Sequence, residues 1–213
     1  LLAKDLFRVL KQKWGTHLNS FISEKLTSIP GDISSEDLGL KDSNLKEELW
    51  NELDIIVNSA AATKFDERYD VAFDINTLGA IHAVNFAKKC VKQEVLVHLK
   101  ISGLRTGLIS ENLPDGASEL DVDVEMKVIA QKLHELKTEG ASQNEITLSK
   151  KALGIERFSN DARMAKHYVF KFTKTKGETL MQQSKENLSL ITIHPAILGD
   201  TYKEPFPGWV EYP

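Results

Sequence analysis

The chain has 213 residues, 41% of them hydrophobic and 27% charged, which is the composition of an ordinary globular domain and excludes disorder throughout. Its net charge of -4 is spread without long blocks of one sign, so no basic surface for nucleic acid is expected. No apolar stretch approaches the roughly 20 residues that a transmembrane helix needs. The single cysteine, Cys90, cannot form an internal disulfide, so a reducing, intracellular compartment is expected.

The first half of the chain alternates between predicted helices and strands. The apolar spacing predicts helices over 4–13, 44–51 and 71–89, the last breaking near Gly79. Short apolar runs predict strands at 53–57 and 94–99, and a partly alternating stretch over 21–30 leads into a strand that ends at Gly31-Asp32. Residues 34–40 are predicted as a turn or short helix. Such alternation is typical of a doubly wound parallel sheet.

The second half departs from this alternation before it returns to the sheet. Residues 101–118 lack a clear period and are predicted as a loop. Helices are predicted over 119–139, 146–155 and 168–185, with Gly140 ending the first of them. Residues 188–193 form the last predicted strand. We therefore expect an α/β fold with a helical excursion around residues 101–160.

The turn after the strand at 53–57 carries almost no side-chain bulk. Its sequence is Asn58-Ser59-Ala60-Ala61-Ala62-Thr63, so a ligand or another backbone can approach the carboxyl edge of the strand closely. Open α/β sheets bind their ligands at that edge. Tight packing between a strand and a helix explains the same residues equally well, so the spacing alone leaves both interpretations open.

Further residues extend this pattern into a family resemblance. Phe65-Asp66-Glu67 and Asn76-Thr77-Leu78-Gly79 follow the small turn, and together they resemble the NAAA…FDE…NxxG pattern of extended short-chain dehydrogenase-like domains. More narrowly, the chain resembles the alcohol-forming fatty acyl-CoA reductases of the plant male-sterility type, also over 4–10, 30–33 and 201–209. The resemblance implies a partial NAD(P)-binding reductase domain over residues 1–213, with an incomplete Rossmann-like, doubly wound parallel sheet.

The resemblance also implies a cofactor and a substrate. The cofactor is NADPH, and a long-chain fatty acyl-CoA is reduced through an aldehyde to a primary fatty alcohol. Ala60, Ala61 and Asn76 are implied as cofactor-binding residues. Asp32 is implied to accept a hydrogen bond from the adenine amino group, although an aspartate after glycine is also an ordinary turn residue.

One element of a dinucleotide site is missing from the sequence. No GxGxxG motif occurs in the chain, although such a turn holds the pyrophosphate in dinucleotide-binding folds. In the family, that turn lies upstream of the point that matches Lys4. The first strand, the Gly-rich loop and the C-terminal domain are therefore expected to lie outside this chain.

The catalytic tyrosine and lysine of the family are out of register here. Reduction of a carbonyl places charge on its oxygen, so the site needs a proton donor with a cation nearby. The family has YVFTK followed by GE, whereas this chain has YVFKFTKTKGE from Tyr168 to Glu178. Residues i and i+4 share a helical face, but i and i+6 are about 600° apart and lie on opposite sides. Tyr168 and Lys174 therefore do not meet. Alignment from Lys174 instead puts Phe170 at the tyrosine position. Lys171, three positions after Tyr168, is an alternative cation for that tyrosine.

Two further positions differ from the family. The family has a Ser-Thr pair after the strand that matches 94–99, whereas this chain continues Lys100-Ile101-Ser102-Gly103. Ser102 is then the candidate for the third catalytic residue, although it also suits a turn. His194 stands where the family has Arg, which places it at the nicotinamide end of the cleft. A strand-end histidine half in solvent is the alternative interpretation.

The remaining motifs exclude other classes of site. The histidines include no HExxH pair and no cysteine at metal-ligand spacing, so no metal site is expected, and no GxSxG elbow of a hydrolase occurs. Two functions stay open: an NADPH-dependent fatty acyl-CoA reductase that is impaired or inactive in this chain, and a non-catalytic truncated paralogue acting as a binding or scaffold protein. Another extended dehydrogenase or epimerase is disfavoured by the match over 202–209. A dimer stays open, and association with the endoplasmic reticulum is an implication of the resemblance only.

Overall fold

The computed structural model describes residues 4–64, 66–100, 121–158, 162–195 and 200–210, without the side chains of 162–168. The chain divides into two compact units. The smaller unit joins Leu1–Pro30 with Ile197–Pro213, and the larger unit is Gly31–Ala196. The larger unit contains the predicted sheet and the positions of all the predicted site residues.

Short helices make up the first part of the smaller unit. Helix α1 spans Arg8–Trp14 and helix α2 spans Leu18–Lys25, with single 3-10 turns before each of them. Trp14 stacks on Phe21 with 4.1 Å between the ring centroids. The Arg8 guanidinium lies 5.5 Å from the centroid of the Phe206 ring, so a cation–π contact joins the two segments of this unit.

The predicted strand that ends at Gly31-Asp32 is wrong. Residues 18–25 form α2, and the described residues from 26 to 33 contain no strand. Leu18, Phe21 and Ile22 follow the helical spacing i, i+3, i+4, and Leu18 is buried. The helical period therefore outweighs the partial alternation of the same residues.

Three parallel strands form the sheet of the larger unit, in the order β1-β2-β3. They span Ile55–Asn58, Val95–Leu99 and Leu190–Ile193, within about two residues of the strands predicted at 53–57, 94–99 and 188–193. In the register of the sheet, Asn58 lies opposite His98, and His98 lies opposite Thr192. This open parallel sheet with helices confirms the predicted partial Rossmann-like α/β fold.

The helices of the larger unit follow the predicted order. They are α3 (Ser43–Glu52), α4 (Tyr69–Phe73), α5 (Gly79–Lys89), α6 (Val122–Thr138), α7 (Gln143–Phe158) and α8 (Ala162–Ser184). A π-helical turn over Asp74–Leu78 interrupts the predicted long helix just before Gly79, and Glu36–Gly39 is a 3-10 turn. Gly140 follows α6 with φ of +73°, the left-handed conformation typical of a helix C-terminus. The predicted loop over 101–118 lies outside the described residues.

Helices α5 and α8 pack on one face of the sheet. Their contacts form a buried cluster around Val84, Leu96 and Met181. Alternate residues of the strands, among them Ile55, Val57 and Ile191, point to the other face and are more than half exposed. The apolar cover of the sheet within the described residues is therefore one-sided.

A second core joins the helical excursion to α4. Tyr69 and Phe73 pack edge to face and contact Phe158 of α7 and Phe172 of α8. The Tyr69 hydroxyl donates a 2.7 Å hydrogen bond to the fully buried Glu125 carboxylate of α6. Burial, together with this hydrogen bond, raises the pKa of Tyr69, so the phenol stays protonated. These contacts hold α7 and α8 against the segment that leads from the small turn into α5.

Candidate active site

The carboxyl end of β1 leads into the small turn, and two buried side-chain amides order that turn. The Asn58 Oδ1 atom accepts a hydrogen bond from the Ala60 N–H at 3.3 Å. Asn76, which is 1% exposed, accepts a 2.9 Å hydrogen bond from the Ala62 N–H, and its Nδ2 donates to the Ala62 carbonyl. Ala60 itself is exposed and Ala61 is partly exposed. Asn76 therefore holds the turn while its small residues face outward.

The π turn brings Asn76 against helix α8. The Asn76 Nδ2 donates a 3.1 Å hydrogen bond to the Thr173 hydroxyl, and the Thr77 hydroxyl donates a 2.8 Å hydrogen bond to the Thr173 carbonyl. A side chain at Gly177 would overlap the Asn76 carbonyl oxygen. Because Gly177 has no Cβ, α8 approaches the π turn closely enough for these bonds to form.

Lys174 is the residue of α8 that reaches the small turn. Its Nζ donates a 2.9 Å hydrogen bond to the Ala60 carbonyl, across 114 positions of the chain, and the residue is 2% exposed. Burial lowers the pKa of Lys174 to about 8, and the charge on Lys100 adds to this effect. The structure therefore places a lysine amine with a lowered pKa at the carboxyl end of β1.

The residue one helical turn before Lys174 is Phe170. Helix α8 is continuous from Ala162 to Ser184, so Phe170 and Lys174 lie on one face as i and i+4. Phe170 is buried. Tyr168 belongs to the same helix, six positions before Lys174, and its side chain lies outside the described part of the chain. The continuous helix leaves a ring without a hydroxyl one turn from the lysine.

The Glu178 carboxylate bridges Lys100 and His194 at the same end of the sheet. Glu178, one turn after Lys174, accepts a hydrogen bond from the Lys100 Nζ at 2.7 Å and lies 2.7 Å from the His194 Nε2. Burial alone would raise the pKa of Glu178, but the hydrogen bonds and charges of Lys100 and His194 lower it. The three residues come from α8, from the end of β2 and from the residue after β3.

Among the described residues, no polar group pairs with His98, which is buried at this end of the sheet. It is 1% exposed, and neither ring nitrogen has a hydrogen-bond partner among the described residues, nor does the Thr192 hydroxyl of the neighbouring strand. Burial lowers the pKa of His98 to about 4, and the charge on Lys174 lowers it further. His98 is therefore a neutral imidazole beside Lys174 at pH 7.

The other predicted site residues are placed as follows. Asp32 is exposed, and its Oδ1 accepts hydrogen bonds from the N–H and the hydroxyl of Ser34, which lower its pKa. His194 is half exposed, with its ring held by Glu178. Ser102 lies outside the described residues. The structure thus brings Ala60, Asn76 and Lys174 together.

Sequence reasoning gave no role to His98, Thr173 or Lys100. Within β2, His98 shares the buried face with Leu96 in a period-two pattern, and a histidine on such a face is the signal that was available.

In the described ranges, no group of three or more His, Cys, Asp or Glu residues is arranged to hold a metal ion. None of the described helices has the length and apolar character of a membrane span.

Comparison with known proteins identifies the relatives of this chain. A family model described as male sterility protein, an NAD-binding family, matches residues 1–212. An alcohol-forming fatty acyl-CoA reductase of Simmondsia chinensis is 46% identical over 224 aligned residues, which cover 99% of this chain and 44% of that protein. Probable fatty acyl-CoA reductase 4 of Arabidopsis thaliana is 45% identical, with the same coverage of 99% and 44%.

More distant relatives extend beyond plants. Fatty acyl-CoA reductase 2 of Bos taurus is 29% identical, over 99% of this chain and 38% of that protein. A solved thiolation-reductase di-domain from an archaeal non-ribosomal peptide synthetase superimposes with a TM-score of 0.49 at 14% identity, over 94% of this chain and 34% of that chain. This chain spans less than half the length of the curated plant relatives that it matches. The chain belongs to the NAD-binding male sterility protein family, whose plant relatives include fatty acyl-CoA reductases.

Proposed function

We propose that this chain is the cofactor-binding part of an NADPH-dependent reductase that converts long-chain fatty acyl-CoA to primary fatty alcohol, and that the chain as written is impaired in this reaction. The names of its plant relatives support the substrate class. The family model supports a nicotinamide cofactor. The preference for NADPH and the impairment are the parts of the proposal that need a test.

The described residues at the end of β1 fit the nicotinamide half of such a cofactor. Ala60 is exposed and carries only a methyl group, so its backbone is accessible, and the Lys174 amine lies 2.9 Å from its carbonyl. We assign Ala60, Ala61, Asn76 and His194 to this half of the site and Asp32 to the adenine amino group. When bound, the cofactor supplies a hydride.

The residues of the chain have separate roles in this proposal. Asn76 holds the small turn in place through its bonds to Ala62. Lys174 supplies positive charge where a carbonyl oxygen gains negative charge. Ser102 is the candidate for donating a hydrogen bond to that oxygen. Tyr168 is the displaced counterpart of the family's proton donor, because six positions separate it from Lys174.

Phe170 is the observation that carries the proposed impairment. The family pattern requires a phenol one turn before the lysine, and Phe170 occupies that position on the face of α8 that bears Lys174. Its ring has no proton to donate. General acid catalysis contributes about 10²- to 10⁴-fold, so we expect a loss of this order. The same residue favours the second candidate function, a non-catalytic truncated paralogue acting as a binding or scaffold protein.

The test restores the missing hydroxyl. We would first titrate the folded chain with NADPH by calorimetry and then measure alcohol formation from hexadecanoyl-CoA by the wild type and by Phe170→Tyr. The proposal expects weak turnover by the wild type and a gain of at least about tenfold in Phe170→Tyr. The matched control is Tyr168→Phe, which removes a hydroxyl from the other side of the helix and should leave the rate unchanged.

Each outcome decides between the candidates. Strong wild-type turnover that is lost in Tyr168→Phe would refute the impairment. Absence of NADPH binding and of turnover in both the wild type and Phe170→Tyr, from folded protein, would favour the non-catalytic paralogue.

Assembly and location complete the proposal. The exposed apolar face of the sheet, which includes Ile55, Val57 and Ile191, supports self-association as a dimer. The family relationship supports association with the endoplasmic reticulum. Sedimentation of the purified chain tests the first, since a monomer at high concentration would refute it, and fractionation of expressing plant cells tests the second.

A further inference from the structure

The Lys174 amine combines features of a nucleophile that the reductase reaction does not require. Its Nζ bonds to a neutral backbone carbonyl, that of Ala60, at 2.9 Å. The ring at the position that would present a phenol is Phe170, so the side chain one turn before Lys174 offers no hydroxyl. Glu178, one turn after Lys174, bonds to Lys100 and His194. An amine in such surroundings is set up to react with a carbonyl carbon.

The amine lies against an exposed turn. Lys174 is 2% exposed, and its Nζ lies 2.9 Å from the carbonyl oxygen of Ala60, an exposed residue. Ser59 beside it is exposed as well. Because the turn carries only small side chains, a slim, unbranched carbonyl compound meets little steric obstruction there.

Burial and a neighbouring charge increase the neutral fraction of the Lys174 amine. Burial and the charge on Lys100, at the end of β2, lower the pKa of Lys174 to about 8. Glu178, on the same helix, is held by Lys100 and His194. His98, on β2, is a neutral imidazole with no polar partner among the described residues, so it adds no charge beside Lys174.

We propose that Lys174 forms an imine with an unbranched aldehyde at the carboxyl end of β1. The Nζ lone pair attacks the carbonyl carbon, a C–N bond forms, and a proton moves from nitrogen to oxygen to give a carbinolamine. Loss of water breaks the C–O bond and leaves the C=N bond. No oxidant or reductant takes part, and the step does not depend on a bound nicotinamide cofactor.

The substrate class follows from the chemistry of the relatives. Reduction of an acyl thioester to an alcohol takes two hydride additions, and the intermediate oxidation level is an aldehyde. This inference extends the proposed function, because an imine at Lys174 would retain an aldehyde on the chain. A chain without the phenol that normally accompanies the lysine would then act as an aldehyde-binding protein.

The test is reductive trapping without NADPH. Purified chain is incubated at pH 7 with hexanal and sodium cyanoborohydride, which reduces the imine to a stable secondary amine, and the modified lysines are quantified by peptide mass spectrometry. With a pKa of about 8 against 10.5 for an ordinary lysine, the neutral fraction of Lys174 is about 300-fold larger. Because burial opposes this advantage, the expected rate is at least about tenfold above that of the partly exposed Lys132 and Lys151.

Variants separate the site from general reactivity. In Lys174→Arg, which keeps the charge, the intact protein should lose the rapid mass gain that comes from labelling of Lys174. Slow labelling of the other lysines should continue. Ala60→Val adds bulk to the turn and should slow labelling at Lys174 alone. Modification of Lys174 no faster than of Lys132 and Lys151, in wild-type chain shown to be folded by circular dichroism, would overturn the proposal. Because no cofactor is present, that failure is distinct from a failure to bind NADPH.

Discussion

Replacing Gly177 by alanine should separate α8 from the π turn. An alanine Cβ would overlap the Asn76 carbonyl oxygen, and it would lie 3.2 Å from the Ala80 Cβ and 3.3 Å from the Asn76 carbonyl carbon. These are backbone atoms and a short side chain within the buried core, so they cannot rotate away. The helices must move apart, which weakens the hydrogen bonds that Asn76 and Thr77 make to Thr173.

The expected loss of stability is the difference between two effects. Overpacking of a core costs about 1–3 kcal/mol, and the weakened hydrogen bonds add about 1 kcal/mol. Alanine in place of glycine inside a helix returns about 1 kcal/mol. The net destabilisation of Gly177→Ala is therefore about 2 kcal/mol, which lowers the Tm of a chain of this size by about 4–8 °C.

Gly154 provides the matched control in the neighbouring helix α7. Its alanine variant gains the same helix propensity, but the new Cβ would lie 3.0 Å from Val169 Cγ2 and 3.1 Å from Tyr69 Cβ, a milder conflict with side-chain atoms. We expect Gly154→Ala to change the free energy of unfolding by less than about 1 kcal/mol. Urea titration followed by circular dichroism measures both variants. A Gly177→Ala variant as stable as the wild type, or an equal loss in Gly154→Ala, would refute the close approach of α8 to the π turn.

Two further predictions concern pH. The folded-state pKa of His98 is about 4 and the ordinary value is 6.5, so its contribution to stability is present above pH 6.5 and is lost as the pH falls toward 4. Between pH 7 and pH 5, the free energy of unfolding should therefore fall by about 2 kcal/mol less in His98→Leu than in the wild type. Urea unfolding at both pH values measures this fall. An equal fall in the two proteins would contradict the burial of a neutral imidazole. The pKa of Glu178 is lowered from 4.5, so its stabilising effect is present above pH 4.5 and is lost below it. Glu178→Gln should flatten the acid limb of the stability profile, whereas the control Glu135→Gln, at an exposed position of α6, should not. Equal acid limbs in both variants would argue against the Lys100–Glu178–His194 arrangement.

The strands and most helices could be predicted because their signals are local. The apolar runs at 53–57, 94–99 and 188–193 are short and β-branched, and the structure has strands there. The helix predicted at 119–139 is α6. The strand predicted before Asp32 was wrong for a related reason, since the residues of this segment fit a strand and a helix almost equally well.

The site could be predicted only where one helix determines it. Tyr168 and Lys174 are six positions apart, so their opposite placement on a regular helix follows from the residue spacing. The shared partner of Lys100 and His194, Glu178, could not be found in this way. The three residues come from strand ends and a helix that are far apart in the chain, and a carboxylate such as Glu178 is an ordinary solvated residue until those segments meet.

The sequence by itself determined the family resemblance, the alternation of strands and helices, and the register that puts Phe170 one turn before Lys174. These depend on residue identity and helical geometry, which are properties of neighbouring residues. Only the tertiary structure decided that the Lys174 amine lies 2.9 Å from the Ala60 carbonyl. It also decided that α8 packs closely against the π turn at Gly177, and that His98 lacks a polar partner among the described residues. The physical reason is desolvation, because a lysine or histidine acquires a lowered pKa only when distant segments exclude water from it.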